Sequence, residues 1–456
     1  MLNNSNIHNG DTYFESQRGV SKGDRKSRII AIGAGIGGLT AAALLAHRGY
    51  EVLILDQAIV PGGCASTFKR KGFTFDVGAT QVAGLEPGGI HHRIFSELEI
   101  DLPEATPCDP ACAVFLPGES TPINVWRNPE KWQEERQRQF PGSEPFWGLL
   151  ASLFKASWDF QGRNPVLPPR NIWDLWQLIR AVRSQTLITV PYILSTVGDA
   201  LRAYGLENDN RLRTFLDLQL KLYSQVSAEE TALLYAATAL AVSQSPQGLF
   251  HLKGSMQVLS DLLVGALERD GGKLLMRHTV ENIQLENGKA KSVTIKNQKT
   301  GEVWQETAEH IVVNVTVQNL VQLLGDKAPR GYKKRVEKLT SPSGAFVVYL
   351  GVEASAIPAE CPPHLQFLDD ANGAISEAQR GYAIAENNSL FVSVSHQGDG
   401  RAPEGKATII ASSFVDVKQW WQTEDYEGLK QKFTQDAISH LNKYFYLKPE
   451  TIIHVE

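Results

Sequence analysis

Gly33-Ala34-Gly35-Ile36-Gly37-Gly38 interrupts an uncharged run, Ile29 to Ala46, that is otherwise long enough to cross a bilayer. Glycines at the centre of the run call for a bend, so it reads as a strand, a turn and a helix. Ile29-Ile30-Ala31-Ile32 is apolar on both faces, as a buried parallel strand must be. The helix is expected from about Gly37, through Ala41-Ala42-Ala43-Leu44-Leu45, to near Arg48, with Gly49 supplying the left-handed C-terminal position. Val52-Leu53-Ile54-Leu55 then reads as the return strand of a βαβ unit, and Asp56 stands at its carboxyl end.

Each of these positions has a physical task. Gly33 permits the tight turn, Gly35 lets the backbone approach a pyrophosphate, and Gly38 allows the helix to pack close on the strand. Ile36 and Gly37 lie where the helix N-terminus presents N–H groups and its positive dipole end to an anion. Asp56 can accept hydrogen bonds from both hydroxyls of an adenosine ribose, and Gln57 beside it joins the candidate set. The ligand is therefore a dinucleotide, and NAD and FAD both fit this unit.

Composition narrows the rest. A length of 456 residues allows about three domains, or two with one split in sequence. With 42% hydrophobic and 21% charged residues, the chain is neither disordered nor fibrous. A net charge of -5 lacks the basic excess of a phosphate-backbone binder, so no nucleic-acid partner is expected. Cys64, Cys108, Cys112 and Cys361 form no disulfide framework and no zinc spacing, so no metal is assigned. Residues 1–27 carry Asp11, Glu15 and Asp24 and no apolar run, which reads as a disordered extension rather than a signal or transit peptide.

The segments after the βαβ unit discriminate between the two dinucleotides. Pro61-Gly62-Gly63-Cys64-Ala65-Ser66 and Gly72-Phe73-Thr74-Phe75-Asp76-Val77-Gly78-Ala79-Thr80 resemble the extended FAD fingerprint of the flavin amine oxidase and phytoene desaturase superfamily. The resemblance implies that Gly62, Gly63, Cys64 and Ala65 lie along FAD, and that Gly78, Ala79 and Thr80 pass beside the isoalloxazine. Relatives often place Arg where this chain has Cys64, which leaves Lys69 or Arg70 as substitutes near the phosphates. A second block, Phe250-His251-Leu252-Lys253-Gly254-Ser255-Met256, precedes a helical stretch to Arg269. Val280-Glu281-Asn282-Ile283 resembles the strand whose backbone brackets the adenine, and Ile311-Val312-Val313-Asn314 the strand that returns to the cofactor domain.

Gly78 to His92, Asp217 to Tyr223 and Phe346 to Gly351 carry the resemblance further, to the carotenoid desaturases, and within them to the cyanobacterial-type C-3′,4′ desaturase of hydroxylated and glycosylated acyclic carotenoids. The expected fold is α/β, a Rossmann-like FAD-binding domain split in sequence with an α+β substrate-binding domain. The boundaries read as 28–105 and 248–325 for the cofactor domain, and 106–247 and 326–456 for the helical and sheet parts of the substrate domain. The implied reaction removes two hydrogens beside a polyene by hydride transfer to flavin, with a quinone or oxygen as electron acceptor. Such chemistry chiefly requires positioning in a dry tunnel. His91, His92 and His251 are the candidate polar groups, and no catalytic residue is assigned. Prolycopene-type isomerase and flavin amine oxidase are the enzyme alternatives.

Three further expectations concern the rest of the chain. Six of the nine tryptophans, Trp126, Trp132, Trp147, Trp158, Trp173 and Trp176, cluster in the helical part, where ordinary core packing competes with docking on a membrane surface. A lipophilic substrate favours the second reading, with the protein peripherally attached on the cytoplasmic side of a membrane. Relatives end with a glycine-rich strand-to-helix motif facing the flavin, and no such segment precedes the final Thr451-Ile452-Ile453-His454-Val455-Glu456, so an inactive, FAD-poor carotenoid-binding remnant is the non-enzymatic alternative. Gly398 to Gly405 imitates that motif but precedes a strand-like Ala407-Thr408-Ile409-Ile410, which makes it a hairpin loop, and Asn372 to Asn388 reads as an insertion.

Overall fold

The strand Arg28–Ile32 sits between two parallel neighbours, Glu51–Asp56 with Ile30 opposite Leu53, and His310–Val313 with Ile30 opposite Ile311. A fourth parallel strand, Lys273–Met276, joins the outer edge of Glu51–Asp56. Both faces of such a sheet must be covered. Ile30, Ile32, Leu53 and Leu55 pack against Val280, Ile283, Val293 and Ile295 of a three-stranded antiparallel sheet, His278–Glu286, Lys289–Asn297 and Val303–Thr307. The helix Ile36–His47 buries Gly38, Leu39, Ala42, Ala43 and Ala46 along one stripe and packs beside the helix Gln257–Arg269. It stops where expected: Gly49 takes φ +89° and donates its N–H to the Ala46 carbonyl at 2.8 Å.

The computed structural model describes residues 27–339, 343–369, 384, 388–395 and 397–456. The expected extension at 1–27, apart from Ser27, lies outside these, as does most of the expected insertion at 372–388. The described residues divide into two compact units. One is made of those in Met1–Ala105, Leu252–Ser341 and Asp399–Arg401, the other of those in Thr106–His251, Pro342–Gly398 and Ala402–Glu456. The first unit thus runs past the expected limit of 325 and takes in the helix Arg330–Val336, together with the three residues Asp399–Arg401 from far along the chain.

The second unit holds a seven-stranded sheet in the order Ile452–Val455, Gly344–Glu353, Lys406–Val415, Ser389–Val394, His364–Leu368, Cys112–Phe115 and Ile123–Val125. Its pairs are antiparallel except for the parallel contact of His364–Leu368 with Cys112–Phe115. Ala437 and Leu441 of the helix Tyr426–Leu441 close a core with Leu350, Val352, Val392 and Ile409. Ser389–Val394 pairs antiparallel with Lys406–Val415, so Gly398 to Gly405 lies in a hairpin connection as its sequence suggests. The final strand, Ile452–Val455, pairs with Gly344–Glu353 at the sheet edge.

The six clustered tryptophans differ in burial, and Trp126 and Trp158 are half-buried. Trp132 and Trp147 are core residues whose rings meet edge to face at 5.8 Å. Trp173 and Trp176 are exposed, so core packing is the wrong reading for them.

Candidate functional site

Asn314, the residue after the returning strand, organises the glycine turn of the first unit. Its N–H donates to the Ile32 carbonyl at 2.8 Å, and its side-chain Oδ1 accepts the Gly38 N–H at 3.0 Å, satisfying one of the donors left over at a helix start. Gly33 takes φ +99°, and a Cβ there would stand 2.3 Å from the Asn314 carbonyl oxygen. A Cβ on Gly38 would stand 1.9 Å from the Gly33 carbonyl oxygen. Both glycines are therefore required by the protein's own backbone.

Gly35 is different. Its φ of -70° suits any residue, and an added Cβ would meet only the Asn314 Oδ1, at an ordinary 3.5 Å. Neither strain nor packing accounts for the missing side chain. A ligand lying against the backbone does account for it, and this is the position at which a dinucleotide needs close approach. Gly63 faces it: the Gly63 Cβ would come within 3.3 Å of the Gly35 Cα, and the Gly62 N–H donates to the Ala34 carbonyl at 2.8 Å. The helix Gln257–Arg269 fixes this second loop, because Gln257 donates from Nε2 to the Pro61 carbonyl at 3.0 Å and accepts the Thr67 N–H at 3.2 Å.

Asp56 ends its strand as expected, and both carboxylate oxygens accept backbone N–H groups, Oδ2 from Ala34 at 2.6 Å and Oδ1 from Ala58 at 2.7 Å. A carboxylate has about four lone-pair sites, so these bonds orient it without exhausting it. Gln57, next in the chain, is exposed. The sequence-distant segments Cys64-Ala65 and Gly78-Ala79-Thr80 come together: the Ala79 N–H donates to the Cys64 carbonyl at 3.0 Å and the Val77 N–H to the Ser66 carbonyl at 2.9 Å. The Cys64 thiol is free and exposed, and Thr80 is buried. Lys69 and Arg70 are exposed on the strand Thr67–Arg70, where the Arg70 guanidinium lies over the Phe68 ring at 5.5 Å. The Val280 side chain belongs to the core beneath the parallel sheet, which leaves only its backbone for a ligand.

One group of residues in this unit escaped the sequence reading. Asp76, in the segment Phe73–Asp76, is buried and accepts the Met256 N–H on Oδ1 at 2.8 Å, while Arg401 donates to its Oδ2 from Nε at 3.3 Å and Nη2 at 3.1 Å. Arg401 also donates to Asp399 at 3.1 Å and to the Leu252 carbonyl at 2.7 Å, and its own carbonyl accepts the Thr74 N–H at 2.8 Å. All three charged side chains are nearly inaccessible. The network holds the strand that leads into Gly78-Ala79-Thr80. Only the acid of the Phe-Thr-Phe-Asp-Val-Gly segment pointed to it in sequence.

Of the histidines, His91 is held below its usual range by burial and meets Phe95 edge to face, and His92 donates its N–H to the Gly84 carbonyl at 3.0 Å. His251 falls in the second unit, with its ring 5.8 Å from that of His364, whose Nδ1 lies 3.9 Å from the Cys108 sulfur. In the same unit, Gln219 donates to Gln366 at 2.7 Å, and Gln366 donates to the Leu218 carbonyl at 2.8 Å. Burial pushes the Cys112 thiol up to about 12, against a hydrogen bond with Gln219 that lowers it, and burial also raises Tyr223. These groups stay neutral at ordinary pH.

The comparisons agree with this geometry. Residues 32–98 match the family described as the NAD(P)-binding Rossmann-like domain. The chain is 27% identical over 451 residues to the chloroplastic prolycopene isomerase of Daucus carota, covering 95% of this chain and 69% of that protein. It is 26% identical over 398 residues to the zeta-carotene-forming phytoene desaturase of Myxococcus xanthus, covering 85% and 72%. Among solved structures, cyclohexylamine oxidase from Brevibacterium oxydans superposes with a TM-score of 0.58 at 17% identity, covering 95% of this chain and 84% of that one. The fold and the glycine turn thus define an α/β protein with a Rossmann-like dinucleotide-binding domain. Its likeness to the prolycopene isomerase and to the phytoene desaturase extends over most of the chain, well beyond that domain.

Proposed function

We propose that this protein is an FAD-dependent enzyme acting on a carotenoid, and that geometric isomerisation of the polyene, rather than 3,4-desaturation, is its reaction. The observation that carries the cofactor is Gly35, which lacks a side chain where the protein alone would tolerate one. The residues that would hold FAD are the turn Gly33–Gly38, Asp56, the loop Gly62–Ala65 and the segment Gly78–Thr80. FAD bound there supplies reversible two-electron redox chemistry. Similarity along nearly the whole chain to a prolycopene isomerase favours isomerisation, and the slightly shorter match to a phytoene desaturase keeps desaturation as the second reading.

The chain's own residues bind, orient and exclude water. Asn314 and Asp56 fix the glycine turn, and the Asp76–Arg401–Asp399 network fixes the strand preceding Val77. In the second unit, neutral Cys112 and Tyr223 and the paired amides of Gln219 and Gln366 leave an interior free of anions at these positions, as an apolar polyene requires. The test is product analysis on purified protein given FAD and an acyclic cis-carotenoid, in oxidised and chemically reduced preparations. The expected product has an altered retention time at unchanged mass. A product lighter by two hydrogens with red-shifted absorption supports desaturation instead, and turnover of a primary amine with peroxide release refutes both.

A further inference from the structure

Arg277 follows the outermost strand of the parallel sheet in the first unit. That sheet runs in the order Lys273–Met276, Glu51–Asp56, Arg28–Ile32 and His310–Val313, so Arg277, Asp56 and Gly33 stand at the carboxyl ends of three adjacent strands. Met276 lies opposite Asp56 in the register. The backbone ties these ends together: Ala58 donates its N–H to Asp56 Oδ1 at 2.7 Å, and the Ala58 carbonyl accepts the Arg277 N–H at 3.0 Å. The Arg277 carbonyl in turn accepts the Gln298 N–H at 2.9 Å. These bonds hold Arg277 at φ +61°, a left-handed conformation that glycine or asparagine adopts at lower cost. Turn geometry alone thus favours those two residues over arginine. The Arg277 side chain is exposed, and among the described residues its guanidinium has no ion-pair or hydrogen-bond partner. The neighbouring His278 is committed elsewhere, with Nδ1 2.7 Å from the Met276 carbonyl oxygen and its ring edge to face with Trp304 at 5.5 Å.

Strand order indicates what this cation meets, given the reading that FAD lays its diphosphate on the glycine turn and its ribose on Asp56, on which the inference rests. Those two groups belong to neighbouring strands about 4.8 Å apart, and the base, attached on the far side of the ribose from the diphosphate, continues in the same direction, toward Lys273–Met276. A guanidinium is planar and weakly hydrated and stacks on aromatic faces, and a purine offers it a larger face than a pyrimidine. Two anionic partners suit it less. The diphosphate is two strands away, about 10 Å. A phosphate on the ribose 2′-hydroxyl would be forced against the Asp56 carboxylate. We propose that Arg277 reads the adenine of the dinucleotide by stacking its guanidinium on the base, and that it sets the preference for adenine over pyrimidine nucleotides.

The test is equilibrium titration of FAD into the full chain, followed by displacement with ADP, UDP or adenosine 2′,5′-bisphosphate, beside thermal melts without ligand. R277A is expected to weaken FAD about tenfold and to shrink the advantage of ADP over UDP by a similar factor. R277K keeps the charge without the planar face and should resemble R277A. R277G should melt at or above the wild-type midpoint while binding FAD as weakly as R277A, because glycine suits the left-handed backbone. Wild-type affinity for FAD in R277A overturns the proposal, and so does a midpoint in R277G that falls together with its affinity, which makes the role structural. Full rescue by R277K, or a bisphosphate that displaces FAD from wild type better than ADP does, also overturns it by assigning Arg277 to a phosphate. Wild-type protein that takes up no FAD sinks the cofactor reading, and the inference with it.

Discussion

Arg401 is the residue whose removal should be felt most. Replacement by Met keeps much of the volume and deletes the donors to Asp76 Oδ2, to Asp399 and to the Leu252 carbonyl. Asp76 would keep the Met256 N–H on its other oxygen, but two carboxylates would share a nearly inaccessible site without their cation. Removing one partner of a buried pair costs about 3 to 5 kcal/mol, a large part of the roughly 5 to 15 kcal/mol that holds a typical protein folded. The loss should depend on pH in a defined direction. A buried carboxylate deprived of its cation takes up a proton more readily, so the deficit of R401M should be greatest near neutral pH and shrink on acidification. R401M/D76N, which removes one of the stranded charges, should recover part of the loss. Urea unfolding of wild type and both variants, followed by tryptophan fluorescence, measures these differences. An R401M variant within about 1 kcal/mol of wild type at neutral pH, or with a deficit that ignores pH, would refute the reasoning.

The glycine turn offers a paired contrast, in which G38A should be destabilised by more than about 3 kcal/mol or fail to accumulate, while G35A should unfold within about 1 kcal/mol of wild type, as thermal melts would record. N314A deletes the acceptor for the Gly38 N–H and should cost about 1 kcal/mol, like the loss of a helix cap, in the same melts. Burial keeps the Cys112 thiol neutral in the folded state up to about 12, whereas the unfolded thiol ionises near 9.0, so this part of the stability is intact below pH 9 and drains away as pH rises toward 12. At about pH 10 the contribution lost is about 1.4 kcal/mol, and C112A should show a correspondingly flatter fall in urea midpoint between about pH 8 and about pH 10.

The parts of the fold that could be read in advance are those encoded locally. Strand, turn, helix, C-terminal glycine, return strand and Asp56 succeed one another between Arg28 and Asp56, and each is dictated by side-chain size or backbone freedom at its own position. The parts that could not be read depend on residues that only the fold brings together. Asn314 meets Gly38 across 276 positions, and Arg401 meets Asp76 across 325. A lone Asn after an apolar strand, or an Arg in a glycine-rich hairpin connection, carries no local mark of such a partner. Gly398 to Gly405 shows this well: its pattern correctly indicated a hairpin, yet said nothing of the ion network that Arg401 makes. The tryptophans failed for a different reason. Amphipathic spacing shows that a helix has an apolar side but not whether that side faces a core, so Trp147 and Trp173 looked alike while one is buried and the other exposed.

The central claim is that the turn at Gly35 and the facing loop at Gly63 receive the diphosphate of FAD. Equilibrium titration of FAD into the purified protein, followed by flavin fluorescence, tests this most directly. The predicted result is saturable uptake of one FAD per chain, displaced by ADP and weakened at least about tenfold in G35A. A titration that never saturates, or one that G35A leaves unchanged, contradicts it.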